Sequence, residues 1–127
     1  MKLVRNGEVP PALGETFSGK AWLTRTVPAQ EPGGVAAALV RFEDGALTHW
    51  HTHPGEQILF VVDGHGRVGD ETGQWEIGPG DVVRIGPGER HWHGASPGAS
   101  MTHLSVTTVG PPDWQEPVAE AVVEGEG

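Results

Sequence analysis

No cysteine occurs in the 127 residues, which excludes disulfides, thiolate metal sites and a cysteine nucleophile. Long apolar runs are missing too. No stretch approaches the roughly 20 apolar residues that a membrane-spanning helix needs, and the opening MKLVRNGEVPPALG lacks the apolar segment of a secretory signal. A cytoplasmic protein without a membrane partner is therefore expected. Basic residues are scarce: 8 Lys and Arg stand against 17 Asp and Glu, for a formal net charge of −9. They are scattered, whereas a phosphate-binding surface needs them clustered, so no nucleic-acid partner is expected.

What is abundant is turn chemistry. The chain has 20 glycines and 11 prolines, about a quarter of its length, which approaches low-complexity composition. Their placement argues for tight turns instead. KAWLTRTV (20–27) alternates apolar and polar positions as a half-buried strand does. VAAALVRF (35–42), ALTHWHTH (46–53), QILFVV (57–62), GRVGD (66–70), QWEI (74–77), DVVRI (81–85), RHWH (90–93) and SMTHLSVTTV (100–109) follow. Pairs such as Asp44-Gly45, Pro54-Gly55 and Asp63-Gly64, and the triplets Gly78-Pro79-Gly80 and Gly86-Pro87-Gly88, punctuate them. Short strands spaced by turns, with no helical periodicity in the interior, predict an all-β sandwich or barrel. Residues 1–34 read as an N-terminal arm with the first strand, 35–109 as the barrel, and 110–127 as an acidic, proline-containing tail with either a short helix near Pro117–Val123 or no fixed structure.

Histidine carries the chemical signal. His49, His51 and His53 sit at alternate positions, so on one continuous strand all three share a face. His91 and His93 repeat the pattern around Trp92, and His103 lies on a third strand. A single histidine on a polar strand face carries little information. Six of the seven histidines, gathered on three strand segments, point to imidazoles converging on a metal. Within HWHTHPGEQ (49–57), either His49, His51 and Glu56 or His51, His53 and Gln57 satisfies the spacing.

In these segments the chain resembles the cupin superfamily, jelly-roll β-barrels marked by two motifs. The first reads G-x5-H-x-H, three or four residues, an acid, six residues, G. Gly45, His51, His53 and Gly64 keep that register, with Gln57 at the acid position. The rival frame needs glycine at 43 and 63, which are Glu43 and Asp63. The second motif, G-x5-P-x-G-x2-H-x3-N, is matched by Gly80, Gly88 and His91, with Gly86 where the family has proline and Ala95 where it often has asparagine; Pro87-Gly88 supplies the turn. The resemblance covers residues 35–109 and implies His51, His53, Gln57 and His91 as metal ligands, with His49 and Glu56 outside the set.

Three histidines and an amide bring no negative charge, so a divalent ion would keep its full charge and act as a strong Lewis acid. GEQILFVVDGHGRV, PGERHWHGAS and MTHL are similar to small single-domain bacterial cupins that include manganese-dependent hydroxynitrile lyases. That similarity implies redox-neutral lyase chemistry on a small carbonyl compound, with manganese favoured over Fe, Ni, Co or Zn, and His93 and His103 moving the proton. A cupin dioxygenase and a non-catalytic small-molecule binder are the competing readings. Ala38, Val40 and Thr107 are expected to line a small cavity. Trp50 and Trp92, of opposite parity to the ligands, should face away from it and be covered by the N-terminal arm or a second subunit. A homodimer or higher homo-oligomer is expected.

Overall fold

The computed structural model describes residues 1–7 and 12–119. It contains thirteen strands in two antiparallel sheets and no helix among the described residues, so none is long and apolar enough to cross a membrane. The first sheet joins β1 (Ala12–Leu13), β3 (Ala21–Val27), β4 (Ala36–Phe42), β12 (Met101–Thr107), β7 (Gln57–Gly64) and β10 (Val82–Ile85), in the order β1-β3-β4-β12-β7-β10. In the second, β11 (His91–Ala95) is central. One of its edges meets β8 (Gly66–Asp70), which pairs with β9 (Gly73–Ile77); the other meets both β5 (Leu47–Thr48) and β6 (His51–Thr52). β2 (Phe17–Ser18) and β13 (Asp113–Trp114) extend that edge by pairing with β5 and β6. The two curled sheets form the expected jelly-roll barrel.

The alternation read from sequence produces the core. Val40 and Phe42 on β4, Leu59 and Val61 on β7, and Met101 on β12 are buried at every second position, as one face of a pleated strand requires. Phe42, Val61, Val68, Ile77 and Met101 close the apolar end of the barrel. The histidines occupy the same inward parity further along these strands and their neighbours.

Two expectations need correction. Asp63-Gly64-His65-Gly66 reads as a hairpin turn, yet β7 and β8 belong to different sheets, so the chain changes sheet there. Gly64 makes this corner possible: its φ is 82°, and a Cβ would lie 2.0 Å from the Ser100 carbonyl oxygen. Nor is ALTHWHTH one strand. It breaks between β5 and β6, because the His49 amide is drawn to the Thr16 carbonyl while Trp50 exchanges backbone bonds with Gln115 and Glu116. His49 therefore lies off the strand that carries His51.

The tail segment has a structural part the sequence does not announce. Asp113 pairs with Thr52 and Trp114 with His51. The helix considered near Pro117–Val123 is absent from Pro117 and Val118, and residues 120–123 lie outside the described residues.

Candidate metal centre

β6, β7, β11 and β12 deliver the site. His51 and His91 are directly paired across β6 and β11, Gln57 opens β7, and His93 follows two residues after His91 on the same face. His53 lies just past β6, where its carbonyl accepts the Gly88 amide at 2.8 Å; the second proline-glycine turn is thereby tied to the first histidine cluster. All five side chains, and His103, are buried.

Ligand atoms of His51, His91 and His93 lie within 4.8 Å of one another. The His53 ring is 5.0 Å from that of His51 and 5.6 Å from that of His91. His93, expected to act at one remove from the ligands, thus stands at ligand distance. His103 lies behind it, with Nε2 at 2.9 Å from His93 Nδ1.

Tautomers follow from the backbone. His51 Nδ1 donates to the His49 carbonyl at 2.9 Å, and His91 Nδ1 donates to the Glu89 carbonyl at 2.8 Å. Each neutral ring then turns an Nε2 lone pair inward. His49 contributes through its carbonyl and not its imidazole, and the ring stays outside the cluster. Burial lowers the pKa of every histidine in the group. His51 is held down to about 3, with His91 adding to the effect, and His53 to about 4. Burial likewise lowers His91, brings His103 to about 4, and drives His93 well below its ordinary value, with His103 the next cause. Neutral imidazole is the form that binds a metal.

Two observations show that this donor set fits a cation. Gln57 Oε1 lies 2.9 Å from His91 Nε2, and with the His91 proton on Nδ1 this places two acceptors face to face, an arrangement a positive charge between them stabilises. In addition, both ring nitrogens of His53 and Nε2 of His93 are buried without a hydrogen-bond partner, which is costly unless something electrophilic receives the one lone pair each neutral ring offers. Three histidines can hold a metal ion here. Glu56 points away, its carboxylate accepting from Arg84 Nε at 2.8 Å on the surface.

Ala38 and Thr107 line an open cavity of about 290 Å³ together with Ala36, Ser105 and Thr26. No histidine lines it; its link to the cluster is Ser105, whose hydroxyl accepts from Gln57 Nε2 at 2.8 Å. Val40 does not belong to this wall. It pairs with His103 deeper in the barrel and packs into the apolar core. Trp50 and Trp92 lie outside the histidine cluster and pack edge-to-face at 6.5 Å. Val118 and Ala119, from the chain's own C-terminal segment, line an open pocket beside both rings. Arg90 spans the seam, its guanidinium 4.1 Å from the Trp50 ring centroid while it bonds Gln115 and Glu116. The residue that sequence reasoning missed is Trp114, whose ring lies 4.4 Å from that of His51. Nothing local marks it, because its role depends on strand pairing across the whole barrel.

Comparison with known proteins agrees with this architecture. The family model described as "Cupin domain" matches residues 38–107. A protein of Granulicella tundricola named (R)-mandelonitrile lyase is 49% identical over 104 residues, covering 74% of this chain and 79% of that protein. A solved cupin-like protein from Thermotoga maritima superposes with a TM-score of 0.80 at 33% identity, over 95% of this chain and 93% of that one. A predicted oxalate decarboxylase from the same organism shares the fold, with a TM-score of 0.73 at 22% identity over 85% of this chain and 99% of that one. The matched segment runs from the cavity wall at Ala38 through both histidine clusters to Thr107, and on this ground the chain belongs to the cupin domain family.

Proposed function

We propose that this cupin is a metal-dependent lyase that makes or breaks a carbon–carbon bond at a small carbonyl compound, cleaving a cyanohydrin to aldehyde and cyanide or running the reverse. One observation carries the reading: a buried set of neutral histidines and one amide, without any carboxylate. It is supported by the likeness to the protein named (R)-mandelonitrile lyase.

His51, His53, Gln57 and His91 are the residues we assign to the metal, with manganese as the favoured ion. A divalent ion bound there supplies Lewis acidity for a carbonyl oxygen or a small anion. His93 and His103 hold the proton. Their Nδ1···Nε2 contact has two tautomeric forms. When His103 donates to His93, the His93 proton sits on Nε2 and can be given up; when His93 donates to His103, Nε2 presents a lone pair and can receive one. In the first neutral form His103 carries its proton on Nε2 and in the second on Nδ1, so the tautomer of His103 sets whether His93 stands as acid or as base. Ala36 and Ala38 leave room for a compact substrate.

The test is turnover of mandelonitrile by the metal-loaded protein with and without oxygen, alongside metal analysis. Equal rates are expected; a rate that vanishes anaerobically makes the protein an oxygenase instead. Absence of any turnover by loaded protein would leave a binding module.

We further propose that two copies associate through the outer face of β7 and β10, where Phe60 and Val82 are paired neighbours and, with Val62, are exposed. Light scattering is expected to give twice the 13.4 kDa chain mass; a monomer mass removes this assignment.

A further inference from the structure

Gln57 is anchored from one side only. Its Nε2 donates to Ser105 Oγ at 2.8 Å and its Oε1 faces His91. An amide is nearly symmetric in shape, so which end meets the metal depends on the group at the other end. Carbonyl oxygen is the ligand and the NH2 is not, so the far partner must accept. Ser105 lies on β12, beside the position paired with Gln57, where Thr107 faces Gln57 across the β7 ladder and Ser105 faces Leu59. Its side chain shares the inward parity of His103 and Thr107.

Ser105 has a second allegiance. It lines the open cavity with Ala36, Ala38 and Thr107, and none of the four residues besides Ser105 touches the histidine cluster by a hydrogen bond. Since the hydroxyl is engaged as an acceptor, its own proton is left over, and among the described residues no side chain or carbonyl accepts it. The hydroxyl can rotate that proton toward the cavity Ser105 lines, where an acceptor atom of a bound small molecule would meet it.

We propose that Ser105 is a positioning residue for the metal centre: by accepting the Gln57 N–H it holds the amide with oxygen toward the histidines, and it does so from the wall of the cavity. The inference rests on the assignment of Gln57 as a ligand made above. A hydroxyl suits the place because it accepts from the amide and still has a proton to donate, which a carbonyl or an alkyl group cannot do. Loss of the hydroxyl leaves a buried NH2 without an acceptor. The amide can then turn its NH2 to His91 Nε2, which makes a good hydrogen bond and takes the oxygen away from the ion.

The experiment is Mn²⁺ titration of metal-stripped protein by calorimetry, for the wild type, Ser105→Ala and Ser105→Thr, with thermal melts to establish that all three fold. Ser105→Ala is expected to bind Mn²⁺ about tenfold more weakly, the range found when a partner of a metal ligand is removed, and Ser105→Thr, which keeps the hydroxyl, is expected to stay within about threefold of the wild type. Wild-type affinity in Ser105→Ala overturns the proposal, as does a Ser105→Thr variant that folds yet binds as weakly as Ser105→Ala. If Ser105→Ala does not fold, the Thr variant still decides, and Ser105→Cys, whose thiol accepts poorly, replaces it as the expected weak binder. A wild type that takes up no Mn²⁺ overturns the metal assignment itself and this inference with it.

Discussion

His103 Nε2 stands 2.9 Å from His93 Nδ1 in the sealed interior of the barrel, and His93 Nε2 in turn faces the cluster without a partner. Two imidazoles in line make a proton store one residue deep behind the ligand atoms. His103→Gln preserves a donor near His93 Nδ1 but cannot pass a proton along. Cleavage by that variant is expected to fall by about 10²–10⁴, with metal content, read by elemental analysis, unchanged. Loss of metal along with activity would instead make the pair structural.

The proximity of His93 to His51 and His91 sets it against His53 for the remaining nitrogen position. His53 has neither ring nitrogen engaged, whereas His93 is committed to His103 on one side. His53→Gln is therefore expected to lower metal content and His93→Gln to retain it while losing activity. The reverse pattern in elemental analysis would exchange the two roles.

Acid should destabilise the metal-free protein in a defined window. Buried His51, His53 and His103 have folded-state pKa values near 3, 4 and 4, below the 6.5 of a solvated imidazole. Between 6.5 and about 4 the unfolded chain therefore binds protons that the folded one refuses, and stability falls as pH falls, by about 1.4 kcal/mol per pH unit for each such histidine. Above 6.5 the contribution is complete and flat. Melting temperatures of stripped protein are expected to drop steeply from pH 6.5 to 4, and Mn²⁺ is expected to raise them most at the neutral end. A melting temperature level across that window would mean that these rings are not buried as neutral groups.

Trp114, on the C-terminal strand, holds its ring 4.4 Å from that of His51 at a tilt of 39°, and the Phe17 ring lies 6.2 Å from that of Trp114. Trp114→Ala opens His51 to water. It is expected to cost about 1–3 kcal/mol in a denaturant melt, and to weaken Mn²⁺ binding more at pH 5 than at pH 7, because a solvated His51 protonates more readily. Equal weakening at both pH values would assign Trp114 a packing role alone.

Local spacing carried much of this protein. Alternation and proline-glycine turns specify short strands with one buried face, since pleated backbone sends successive side chains to opposite sides, and the arrangement of Val40, Phe42, Leu59 and Val61 needs no more than that. The same parity brings His91 and His93 to one face, and the glycines at 45 and 64 placed Gln57, rather than Glu56, toward the interior. Long-range pairing decided the rest. His49 left the cluster because two distant segments capture the backbone around it, and Val40 left the cavity wall because His103 and the core close over it. Trp114 reached His51, and Ser105 reached Gln57, through ladders joining residues 63 and 48 positions apart. Sequence periodicity reports which side of a strand a residue occupies; which strands face each other is set only when the two sheets close.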